Sequence, residues 1–291
     1  MAQEKPKLIF GTATPGGGFP AYGWPYAEVL NAADATLGIE PINTKGSTEN
    51  IVSLEQDKMD LGLVTGEVTY EAIKGIGGPP TKNIRIINAT YSQAGMFMVP
   101  ADSPYKTIAD LKGKPIVWGA ATSGFIVLAR YVMDGMGLDF QKDFQPILLK
   151  SAGDGPPMVL DGRAAAMWGG GIGWPPFAAI ANGPAGARFI GPSDEEIQRI
   201  MAKHSFLKAA SMAANSSRSD RCGEFRRLMA VCAGTRVVAG RNSLQARPRL
   251  APQRRRIRQA ARTGGGIHAG QHPGGRAEPR SDTSRRVELS A

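Results

Sequence analysis

Apolar residues in the first two-thirds of the chain fall into short runs, and these alternate with stretches of helical spacing. "KLIFGT" at 7–12 reads as a strand, followed by a helix carrying Tyr22, Tyr26, Val29 and Ala33 on one face. Pro25 suits that helix's first turn. "IEPINTK" alternates as a strand, and "STENIVSLEQDKM" reads as a helix with Ser47 as its N-cap. "DLGLVT" is a short buried strand, and "GEVTYEAIKG" is a helix that stops on Gly75. "IRIINATYS" and "GMFMVP" are further strands. The pattern then restarts with a short helix "TIADLKG" and a strand "KPIVWGA". The helix "TSGFIVLARYVMDGMG" turns Phe125, Leu128, Ala129 and Val132 inward and ends at Gly137. Strands "FQPILLK", "AAAMWGG" and "ARFIG" alternate with helices "GDGPPMVLDGR", "PPFAAIANG" and the capped "SDEEIQRIMAKH". Strands alternating with helices predict an α/β fold of mostly parallel sheets with helices on both faces. Two such blocks predict two lobes, residues 7–91 and 92–205, with a connection at 206–213.

Five strand-to-helix junctions share one chemistry: "GTATPGGGF", "TKGSTEN", "TGE", "GAATSGF" and "WGGGIGWPP". Each sets small or hydroxyl residues at the carboxyl end of a strand, beside the N–H groups of a helix start. Ligands of open α/β sheets bind outside those ends, and helix N-termini favour anions. The first loop is neither of two common phosphate-binding devices. Gly17 and Gly18 stand where a P-loop needs Lys and Ser or Thr. Ala13 breaks a dinucleotide GxGxxG, and Thr44-Lys45 occupies the place of its acidic partner. Two lobes facing each other with such loops predict a cleft for a small anion.

Composition divides the chain. Its 291 residues carry a net charge of +10 and are 42% hydrophobic, enough to bury a core. Residues 1–213 are net −2, however, and residues 214–291 are net +12, with all 17 basic residues there being Arg. Every Trp and Tyr lies before Ala213, and both Cys222 and Cys232 lie after it. Residues 214–291 therefore read as an Arg-rich, low-complexity tail, largely disordered. An out-of-frame reading of a GC-rich gene would give this mixture. A real basic arm that binds nucleic acid is the alternative.

"GTATPGGGFPAYG", "NTKGSTENIVSLEQDKMDLGLVTGEVTYEA", "DLKGKPIVWGAATSG" and "MVLDGRAAAMWGGG" resemble the TAXI-type solute receptors of TRAP transporters. The resemblance runs from about Lys7 to Ala213 and is absent from the C-terminal part. It implies a two-lobed periplasmic-binding-protein fold of type 2, with lobe 1 left incomplete when the resemblance ends. It implies a monomeric, periplasmic receptor that holds a small carboxylate, an organic acid or amino acid, and delivers it to membrane permease subunits. No signal peptide is present in this sequence. Carried over by position, the ligand contacts would be Gly16, Gly17, Phe19, Ser47, Thr48, Asn50, Thr65, Thr122, Ser123 and Gly124; Trp168 and Trp174, which flank four glycines, are expected to wall the cleft. Phe19 stands where the family commonly carries an aromatic hydroxyl. Ser47, Thr122 and Ser123 serve equally as helix caps, Asn50 as a loop clamp and Trp168 as a core strand residue.

Catalysis finds little footing. His204, His268 and His272 lie away from the glycine loops, and Cys222 and Cys232 lack partners at zinc spacing. Asp154 in "GDGPP" fits a turn cap better than a general base. No enzyme activity, cofactor, metal or nucleic acid is expected.

Overall fold

The computed structural model describes residues 7–171, 173–212, 228–241, 256, 257 and 259. Its elements run β1 (Lys7–Gly11), α1 (Gly18–Ala33), β2 (Gly38–Ile42), α2 (Ser47–Glu55), β3 (Leu61–Val64), α3 (Gly66–Lys74) and β4 (Ile84–Pro100). They continue with β5 (Pro115–Ala120), α4 (Gly124–Gly135), β6 (Gln145–Leu149), α5 (Gly155–Leu160), β7 (Ala166–Gly169) and α6 (Pro175–Ala181). β8 (Ala187–Ile190), α7 (Asp194–Lys203), β9 (Leu207–Met212) and β10 (Leu228–Arg241) complete the set.

The strands make two sheets that share β4. In the first the order is β2-β1-β3-β10-β4, with β1 parallel to β2 and β3, and β10 antiparallel to β3 and β4. In the second, β5 lies parallel to β6 and β7, while the far end of β4 lies antiparallel to β7 and β8. The α/β two-lobed fold is therefore as the periodicity predicts. The parallel strands β3 and β7 are buried at every residue, as expected of strands covered on both faces.

Each lobe has its own core. α1 covers one face of the first sheet with Phe19, Tyr26 and Leu30 against Leu8, Phe10 and Leu61. α2 and α3 cover the other face with Ile51, Leu54 and Val68. The second lobe packs Phe97, Trp118 and Trp168 edge-to-face or tilted, within 6 Å of one another. α4 presents Phe125, Leu128, Ala129 and Val132 to that core, as its spacing predicts. α7 opens with the Ser193–Glu196 capping box, and α3 ends on Gly75 in the left-handed region.

Four local expectations are corrected. α1 buries Phe19, Gly23, Tyr26, Ala27 and Leu30, leaving Ala33 exposed. The helix starts earlier than Pro25 suggested, so Pro25 lies inside it. α2 is capped by Gly46, and Ser47 is its first helical residue. "IRIINATYS" and "GMFMVP" form one strand, β4, which runs unbroken through the expected lobe boundary at 91/92.

The Arg-rich segment is corrected in part. Its described residues have structure: Leu228–Arg241 is a strand seated between β3 and β4, which the first lobe would otherwise lack. Ile257 is fully buried in the core beneath α1, and the Arg256 guanidinium donates to Thr36 Oγ1 at 2.7 Å. Within 228–241, apolar and β-branched residues outnumber the arginines, and this suits a strand. The expectation of disorder for the rest of 214–291 lies outside the described residues.

Candidate functional site

The loops at the carboxyl ends of β1, β3 and β5 converge with the start of α2 on a small cavity between the lobes. The loop after β1 ends in Gly17, which begins α1 without a side-chain cap. Gly46 similarly precedes α2, and Thr65 precedes α3. From the second lobe comes Ser123, whose Oγ accepts from Phe125 N at 3.2 Å to cap α4. Four helix starts therefore surround one space. Its volume is about 40 Å³, room for roughly three waters at ~10–15 Å³ each.

The lobes touch directly around this space. Thr48 N donates to Thr122 O at 3.2 Å, and Thr122 Oγ1 donates to Lys45 O at 2.9 Å. Ser151 Oγ donates to Pro15 O at 2.7 Å, and Ala152 N to Thr14 Oγ1 at 3.3 Å. Glycines make this approach possible. A Cβ on Gly46 would lie 3.1 Å from Thr122 O, and one on Gly124 only 2.2 Å from Thr65 Oγ1. Gly46 adds a second requirement, a φ of +120°, which disfavours a side chain. A latch joins α3 to α4 elsewhere in the interface: Glu71 pairs with Arg130 and accepts from the Tyr131 hydroxyl at 2.6 Å. Burial, and then the Glu71 carboxylate, push the Tyr131 phenol up.

The expected site residues divide into three groups. Gly17, Phe19, Ser47, Thr65, Ser123 and Gly124 border the cavity. Gly16, Thr48 and Thr122 lie in the contact between lobes; a Cβ on Gly16 would sit 3.0 Å from Gly153 N. Asn50 and Trp168 lie behind the wall. Asn50 Nδ2 donates to Thr12 O and Leu63 O, each at 2.8 Å, clamping the ends of β1 and β3. Trp168 is fully buried, and its Nε1 donates to Phe125 O at 2.9 Å. Trp174, its flanking alternative, borders the cavity edge-on to Phe125. Asp154 accepts from Ser151 N in a capping box, which matches its expected turn role.

Sequence reasoning passed over Lys45, Thr14, Phe125 and Ala152, which also border the space. Lys45 is the sole ionisable side chain among the described residues there, and it is exposed to solvent. Its place inside "TKGSTEN", immediately before the glycine that starts α2, is the signal that marks it. Ser47 Oγ is spent on Thr65 N at 3.2 Å, whereas buried Thr65 Oγ1 has no hydrogen-bond partner among the described residues. A second groove, about 310 Å³, is lined by Gly, Pro, Leu and Ala alone and offers no polar side chain.

Two α/β lobes closing on a cleft at their strand ends define a class of fold, that of the two-lobed ligand-binding proteins. Solved structures share it at low identity. One is the substrate-binding protein of an amino acid ABC transporter, with a TM-score of 0.53 and 14% identity over 89% of this chain and 95% of that one. Another is the effector-binding domain of QuiR in complex with shikimate, with a TM-score of 0.54 and 9% identity over 90% and 98%. A third is the alkanesulfonate-binding protein SsuA from Xanthomonas axonopodis pv. citri bound to MOPS, with a TM-score of 0.50 and 16% identity over 92% and 79%. A model of the NMT1-like family matches residues 10–221, and the chain belongs to that family.

Proposed function

We propose that the chain is an extracytoplasmic solute-binding receptor of TAXI type, a monomer that closes its lobes over a small carboxylate. It delivers this ligand to the membrane subunits of a TRAP transporter. The observation that carries the proposal is the cavity itself: four helix starts, a hydroxyl set and Lys45 around one space, sealed by bonds between the lobes. Backbone N–H groups and positive helix ends favour an anion there. Closure strengthens each contact by removing water. Binding rather than catalysis is supported by the solved structures of the same fold, which are named as substrate-binding and effector-binding proteins.

The test is calorimetric titration of the chain with organic acids, amino acids and alkanesulfonates. At least one carboxylate should bind with a Kd below millimolar, and Lys45→Ala with Ser123→Gly should weaken it at least tenfold. Loss of one charge-assisted bond of about 1.5–3 kcal/mol is enough for that change. Failure of every acid to bind would refute the receptor assignment. Tighter binding of sulfonates than of carboxylates would refute the carboxylate.

A further inference from the structure

We infer that the cavity selects a compact monoanion with an apolar body and no ammonium group, a simple monocarboxylic acid rather than an amino acid or a dicarboxylate. This rests on the receptor assignment above and narrows its ligand class. The lining holds two kinds of group: hydroxyls, helix starts and Lys45, and the apolar side chains of Phe19, Phe125, Trp174 and Ala152, of which Phe19 and Trp174 are almost wholly buried.

An α-amino acid brings an ammonium that must lose its water on closure. That loss is offset only by a carboxylate or a set of acceptors in good geometry. No Asp or Glu borders the cavity among the described residues. The acids on neighbouring segments are committed elsewhere. Glu49 accepts from Lys45 N, and Asp154 accepts from Ser151 N. Glu67, buried in the first turn of α3, is not part of the wall and is already engaged. Several of the wall's oxygens are likewise used: Thr14 Oγ1 by Ala152 N, Ser47 Oγ by Thr65 N and Ser123 Oγ by Phe125 N. Buried Thr65 Oγ1 has no hydrogen-bond partner among the described residues, and its O–H, like those of these three acceptors, can donate to a carboxylate oxygen. A dicarboxylate fares no better, because one lysine in the lining would have to balance two carboxylates.

The experiment is competitive calorimetry with matched pairs on the full chain: propionate against alanine, 3-methylbutyrate against leucine, and propionate against succinate. The simple acid should bind at least tenfold more tightly in each pair. A second variant tests the cause. Ser123→Asp keeps a good N-cap for α4 while adding a carboxylate to the wall. It should shift the acid-to-amino-acid ratio at least tenfold toward the amino acid, with the thermal midpoint unchanged. Tighter binding of alanine, leucine or succinate to the parent chain would overturn the selectivity while leaving the receptor intact. An unchanged ratio in Ser123→Asp would overturn the explanation by the missing carboxylate. Absence of binding by every acid in the set would overturn both the selectivity and the receptor assignment.

Discussion

Gly124→Ala separates closure of the lobes from folding of the chain. Gly124 is the first residue of α4, and its backbone there is helical, so alanine introduces no torsional strain. The added methyl would nevertheless lie 2.2 Å from Thr65 Oγ1, 2.4 Å from its Cγ2 and 2.8 Å from its Cβ, across the lobe interface. Thr65 is buried and β-branched, so it has few rotamers into which to retreat. Overpacking of this kind costs about 1–3 kcal/mol. The ligand-free chain escapes that cost by opening, whereas the ligand-bound chain does not. At about 1.4 kcal/mol per tenfold, the Kd should rise by about 5- to 150-fold. The thermal midpoint of the free chain should stay level or rise, because alanine is the better helix former by up to about 1 kcal/mol. Calorimetry with the best-bound acid and a melt of the free chain measure the two effects separately. Thr65→Ala in the same chain removes the two nearest atoms, and a double-mutant cycle separates relief of this clash from loss of the Thr65 hydroxyl at the cavity. If Gly124→Ala binds as tightly as the parent, the lobes do not meet at Thr65 when ligand is held, and the closure argument fails.

Two further outcomes follow. Burial pushes the phenols of Tyr22, Tyr26 and Tyr131 up, so the folded chain holds these protons more tightly than the unfolded one. Their stabilising effect is complete below a pH of about 10 and is lost as pH rises above it. The melting temperature should fall across that window while phenolate absorbance lags free tyrosine, and three normal titrations would contradict the burial. A chain ended at Ala213 loses the strand between β3 and β4. It should lose acid binding and the trypsin resistance of lobe 1 while the Trp118–Trp168 core persists; unchanged melting and binding would show that the strand is dispensable.

Much of this was legible because it is local. Strand and helix order follows from apolar spacing, and α4 shows its buried face because polar residues punctuate it. α1 does not: Phe19, Tyr22, Trp24, Tyr26, Val29 and Leu30 surround it with apolar groups, so spacing alone selects no face. The deciding fact is a close approach, since a Cβ on Gly23 would lie 2.6 Å from Thr12 Cγ2. Thr14 and Ala152 join the cavity through contact between lobes, which no local pattern encodes. Trp168 and Trp174 are equivalent in the sequence and separate only when the chain turns between them. β10 was obscured by averaging: 17 arginines over 214–291 mask a 14-residue strand.

The position of that strand bears on how the chain is made. β3 ends at Val64 and β4 begins at Ile84, but the strand seated between them begins at Leu228. On the ribosome every strand of the second lobe's sheet, the far end of β4 included, has emerged by Ile190, from contiguous segments. The first lobe must wait. Its edges at β3 and β4 remain unpaired until almost the whole chain has emerged, and such edges invite pairing with other chains. The lobe synthesised first is thus the last to complete its sheet, through the pairing of Leu61–Val64 with the distant Val237–Gly240, and this is the slow kind of contact. A nascent chain of this design depends on being kept apart from its neighbours until β10 arrives.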